Sequence, residues 1–219
     1  QDLNETIEQG KTKQWAGDPD LLGVILGDDP LAIIRQLKES LGSGATPETL
    51  AQTVAYAAAM RLARFATSNE VTDWFNPQHT FIFTNGTYQA VRRSATADVV
   101  RAIFQGAIAI YNDRYLNVPA ARLPSERQPP ANLPEDGGEL QKLLLDTLDQ
   151  RGTIELSADI VSRYLQLELP FQNLVDTLVF ATVREDLDFH SLQVLDAGVR
   201  QCVAWGPGEQ RQNIMVGVI

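Results

Sequence analysis

The stretch PETLAQTVAYAAAMRLARFA, residues 47–66, decides the fold class. Leu50, Val54, Ala58, Leu62 and Phe65 recur at intervals of four, four, four and three, which lays them along one face of a helix. Thr46 ahead of Pro47 supplies an N-cap with proline at the first helical position, where its missing N–H costs nothing. Alanines fill most of the remaining positions and allow neighbouring helices to come close. The segment therefore reads as a core helix, and the chain as all-α.

Working outward, the same punctuation recurs at Asp18-Pro19, Asp29-Pro30 and Asn76-Pro77, each ahead of a helically periodic segment, with Gly42 and Gly44 stopping the helix before Thr46. Helices are predicted over 78–93 and 97–115, the latter with Val100, Phe104, Ala107 and Tyr111 on one stripe. Five prolines at 119, 124, 129, 130 and 134, followed by Gly137-Gly138, mark a Pro-rich loop over 117–138 that reads as a linker, lid or disordered segment. Periodicity returns over 139–150 and about 157–166. It then runs from Pro170 to about Trp205, a helix of roughly 50 Å at 1.5 Å per residue, which would serve as a spine. Only the tail Ile214-Met-Val-Gly-Val-Ile219 resembles a strand, packed on its own core or on a neighbour. No fixed-period repeat appears, so the expectation is an irregular multi-helix bundle forming a single domain over 1–219, its two helical halves divided by the loop.

With 44% apolar residues the chain can fill a core without staples, and Cys202, its one cysteine, forms no internal disulfide. That usage points to a reducing, cytoplasmic setting. No apolar run approaches the roughly 18 residues that span a bilayer. Gln1 stands where a start methionine is expected, leaving room for a segment or domain upstream. A net charge of −10, with Arg92-Arg93 as the longest basic run, disfavours a nucleic-acid partner.

Chemistry is confined to few residues. The two histidines both lie on segments read as interior helices: His79 shares a stripe with Phe83, Gly86 and Ala90, and His190 one with Val179, Val183, Asp186 and Val194. Asp186 and His190, one turn apart, can share a metal ion, or the carboxylate can orient the imidazole for acid–base work without a cofactor. Asp113 interrupts the row Val99, Ile103, Gly106 and Ile110, and Glu185 adds another acid. His79, His190, Asp186, Asp113 and Glu185 together make a ligand set suited to non-haem iron or manganese, with iron the sharper expectation, in a buried pocket donated by three helices. The plainer alternative is a hydrogen-bonded structural histidine on each helix, and neither Glu-x-x-His nor His-Glu-x-x-His occurs to favour the metal. Cys202 lies about 18 Å from His190 along the same predicted helix, too far for a Cys-His nucleophile. Phosphate-binding loops are absent, and Gly23 and Gly27 lack the strand context of a dinucleotide site. The aromatics between Trp74 and Tyr115 could line a pocket, but their helical spacing favours core packing.

Three stretches carry a resemblance: His79-Thr-Phe81 with Asn85-Gly-Thr-Tyr-Gln-Ala-Val-Arg-Arg93; Tyr111-Asn-Asp-Arg-Tyr-Leu-Asn-Val-Pro-Ala-Ala-Arg-Leu-Pro124; and Arg184-Glu-Asp-Leu-Asp-Phe-His-Ser-Leu-Gln193. Together they resemble a bacterial all-helical domain associated with Rieske-type iron–sulfur proteins. The resemblance implies a helical module that accompanies redox proteins, with a Rieske-type or other redox protein as partner. It implies no [2Fe–2S] cluster on this chain, which has one cysteine and no Cys-x-His motif. In that domain a histidine commonly stands where this chain has Tyr88. A site joining Tyr88 to His79 would need the helix to kink at Gly86. A docking scaffold, self-associating as a homodimer through the long helix and the tail, is the expectation of a different class.

Overall fold

A computed structural model describes residues 3–184 and 189–219. Eleven α-helices appear among them: α1 Leu3–Gly10, α2 Leu21–Ile25, α3 Pro30–Gly42, α4 Pro47–Ala63, α5 Phe75–Arg93, α6 Ala97–Asp113, α7 Gly137–Leu148, α8 Ile154–Gln166, α9 Phe171–Arg184, α10 Phe189–Trp205 and α11 Glu209–Val218. No strand occurs among the described residues, so the all-α reading holds.

Two of the four Pro-based starts, Asp29-Pro30 and Thr46-Pro47, resolve as read, whereas Asp18-Pro19 does not: α2 begins at Leu21 with Asp20 at its N-cap. Asp29 accepts the backbone N–H groups of Leu31 and Ala32, and Thr46 accepts that of Thr49. Asn76-Pro77 differs: a 3-10 turn at Val71–Trp74 leads straight into α5, and Pro77 sits inside the first turn, where a backbone N–H has no helical partner to lose.

The central element is α4. It is buried on every side, from Leu50 through Val54, Tyr56, Ala58 and Met60 to Leu62, and packs against α5, α6 and α11. The predicted spine over 170–205 is instead two helices, α9 and α10, that pack on each other. Ala181 and Val194 line one cleft, whereas a continuous helix would hold them roughly 20 Å apart. The strand-like tail is helical: it belongs to α11, whose Ile214 and Met215 are fully buried against α4, α8 and α10. Gly217 makes that contact possible, because a Cβ there would stand 2.8 Å from the Ala59 carbonyl oxygen of α4.

The Pro-rich loop is a pinned strap. Ala121 N–H donates to the Arg64 carbonyl at 2.8 Å, and the Arg64 guanidinium forks the Glu126 carboxylate at 2.9 and 2.6 Å. Arg127 reaches Asp159 of α8 at 2.9 Å, Arg163 reaches Glu135 at 2.7 Å, and Leu123 is buried. Side chains from both sides of the strap, Phe81 and Ile110 before it and Leu144 and Tyr164 after it, join one hydrophobic cluster.

Candidate functional site

Helices α5 and α10 pack together, and two polar contacts fix their register. Deep in the interface the Gln201 amide donates to Asn85 Oδ1 at 3.0 Å, with Gln201 fully buried. Six residues earlier on α5 and eleven earlier on α10, His79 Nε2 meets His190 Nε2 at 2.7 Å. Both contacts advance with residue number on both helices, so the helices run in the same sense and present their N-terminal turns together. The imidazole rings are 4.6 Å apart at their centroids and inclined by 57°. Phe75 stacks on the His190 ring at 4.9 Å and Phe189 flanks it at 4.0 Å. At this separation one Nε2 donates its hydrogen and the other accepts it.

The pair lies at the surface. His79 is exposed and His190 half-buried, and most of the rows assigned to them face outward: Phe83 and Gly86 are exposed, as are Val179 and Val183, while Val194 is buried. The expected buried pocket is therefore corrected to a surface site. Gly86, where close helix approach was conceivable, has open space around it; the close approach falls at Gly106, where a Cβ would stand 2.7 Å from the Thr84 methyl.

Asp113 does not join the imidazoles. Its predicted row is right, since Ile103, Gly106 and Ile110 are buried with it, but it faces Thr80 and Arg61 on the inner side of α5. Thr80 follows His79 in sequence, and one residue is about 100° of rotation on a helix. Burial pushes the Asp113 carboxyl above its ordinary range, against a hydrogen bond from Thr80 and the charge of Arg61, which pull it down. A carboxyl raised in this way binds extra protons in the fold. Stability is therefore gained as pH falls through the raised value, and ionisation costs stability above it. Asp113→Asn, which mimics the protonated acid, is expected to raise the urea midpoint at pH 7 and to lose that advantage below pH 3.8, the ordinary value. An unchanged or lower midpoint at pH 7 contradicts this account.

Asp186 and Glu185 fall outside the described residues. Among those described, no group of three or more histidine, cysteine, aspartate or glutamate side chains is placed to hold a metal. Tyr88 is buried, with the Arg92 guanidinium over its ring, while α5 runs unbroken past Gly86, so Tyr88 and His79 point apart. Cys202 is a core residue: burial pushes its thiol up to about 12.

Several neighbours were missed in the sequence. Phe75, one helical turn before His79, and Phe189, directly before His190, both lie against the His190 ring, a neighbourhood that the packing of α5 on α10 creates. Arg114 is sandwiched between Tyr111 and Tyr115 at 3.5 and 3.8 Å, a half-buried cluster apart from the pair in which Tyr115 is exposed. A cleft of about 290 Å³ adjoins the histidines; Gln78 and Ser191 line it together with Leu178, Val194 and Leu195.

Comparison with known protein families, with curated proteins and with solved structures gives no match. No helix among the described residues is long and apolar enough to cross a membrane.

Proposed function

We propose that the chain is a metal-binding helical module in which His79 and His190 hold one first-row transition-metal ion at the surface. The supporting observation is the 2.7 Å separation of the two Nε2 atoms. Two imidazole nitrogens bound to one ion at the usual 2.0–2.1 Å and at right angles lie roughly 2.9 Å apart. The rings already stand close to that bite, so binding needs only a small spreading of the pair. The hydrogen between them would move to Nδ1 of the donor ring, leaving two lone pairs for the ion. Imidazole nitrogen suits zinc, copper, nickel and iron. Iron(II) is the ion that the His/carboxylate set read from the sequence suggests, and the resemblance to Rieske-associated domains adds a Rieske-type or other redox protein as partner in a reducing cytoplasm. Two protein nitrogens leave the remaining coordination positions to water or to a partner's ligands.

A second reading, a docking scaffold, has its own support: Val179, Phe180 and Val183 form an exposed apolar stripe on α9. The cofactor-free acid–base reading has less, because His190 Nε2 faces another imidazole.

Cobalt(II) titration tests the metal reading. Ligand-field bands that grow and saturate with added ion are expected; a spectrum that stays that of aqueous cobalt throughout overturns it.

A further inference from the structure

The Pro-rich strap and α8 enclose a second cleft, of about 510 Å³, within the roughly 300–1,000 Å³ of small-molecule sites. Pro129, Pro130 and Leu133 give it an apolar wall, while Asp159, Ser162 and Gln166 line it from α8. Asp159 is 8% exposed, and its carboxylate is short of partners. Arg127 Nη2 stands 2.9 Å from Oδ1, yet at an angle that makes no hydrogen bond, so Oδ1 is buried without one. The aligned bonds of that guanidinium go to Glu155 instead, to its Oε2 and its carbonyl oxygen, both at 3.1 Å. Arg163, one turn beyond Asp159 on α8, turns away to Glu135 at 2.7 Å. Two guanidiniums thus serve three carboxylates, which leaves one negative charge over. Burial pushes the Asp159 carboxyl up, Arg127 pulls it down and Glu155 pushes it up again. A buried charge in this position is costly until a donor reaches it.

We propose that this cleft binds a small aliphatic diamine, with one ammonium group against Asp159 and the methylene chain along Pro129, Pro130 and Leu133. A primary ammonium brings three N–H donors together with the missing positive charge. Gln166 donates through Nε2 to Ser162 Oγ at 3.3 Å, which leaves its Oε1 as a further acceptor for that group. Glu135, exposed at the rim, gives Oε1 to Arg163 and keeps Oε2 for the second ammonium. A bare metal dication fits less well, because both guanidiniums stand beside the carboxylates it would need. The cleft is independent of the histidine pair, which lies on α5 and α10.

Calorimetric titration of the full chain with putrescine is the test, in physiological salt so that the general attraction of a chain at −10 for cations is screened. Saturation at a single equivalent is expected, weakened about tenfold or more by Asp159→Asn, which removes a charged hydrogen bond and keeps the shape of the side chain. Glu135→Gln, at the exposed rim where folding is not at stake, should weaken binding about threefold, as loss of a surface ion pair does. Asp98→Asn, on the exposed start of α6, should bind as the parent does. Heat that does not saturate, unchanged affinity in either cleft variant, equal weakening by Asp98→Asn, or displacement of putrescine by an equal concentration of calcium overturns the proposal.

Discussion

Removing residues 214–219 is expected to unfold the protein. Ile214 and Met215 are completely buried, in contact with the α4 helix around which the bundle is built. Each large-to-nothing loss in a core costs about 2–5 kcal/mol. The pair alone thus approaches the roughly 5–15 kcal/mol by which a whole domain is stable. Further contacts go with them: Gly217 seats against the Ala59 carbonyl, and the Val218 side chain fills the space over Gly198 of α10. Asn213, whose amide donates to the Tyr56 hydroxyl at 2.9 Å, loses the helix that holds it. Thermal melting followed by far-ultraviolet circular dichroism should show either no cooperative transition or a Tm lowered by at least about 10 °C, given 2–4 °C per kcal/mol at this size. A cooperative melt within a few degrees of the parent would contradict the placement of α11. Loss of self-association on truncation would accordingly report unfolding.

His79→Ala and His190→Ala are expected to act in the opposite way, leaving the fold and removing the metal. His79 is exposed and His190 half-buried, so each substitution should change stability by no more than about 1 kcal/mol, as at other surface positions. Affinity is another matter. Loss of a hydrogen-bond partner behind a ligand already weakens metal binding about 10–100-fold, and loss of one of two ligands should weaken it by about 100-fold or more, close to 2.7 kcal/mol. The two variants should be equally affected, since either leaves a single imidazole. Calorimetric titration of both beside the parent checks this; a variant that binds as the parent does removes its histidine from the site.

What the sequence disclosed follows from how local each signal is. Asp29 and Thr46 cap their helices because capping depends on a few adjacent residues, and α4 announced its burial through alanines on every face. The division between α9 and α10 was hidden because apolar periodicity continues through both and Glu185-Asp-Leu-Asp188 contains neither glycine nor proline. Residues 214–219 misled because β-branched side chains favour strands only as weakly as packing permits, and here Gly217 lets the segment press as a helix onto α4. At the site, Asp113 was correctly placed on a buried row, but burial alone does not say which side of α5 that row faces. His79 and His190 are 111 positions apart, and only the packing of α5 on α10 brings them together. Their exposure escaped notice because Phe83, Val179 and Val183 imitate a core-facing stripe while facing outward.

Anomalous diffraction from a crystal of the full chain grown with cobalt or zinc tests the central claim most directly. A single strong peak about 2.0–2.1 Å from Nε2 of both His79 and His190 is the result this account predicts. A peak bound to one of the two rings alone, or none between α5 and α10, would contradict it.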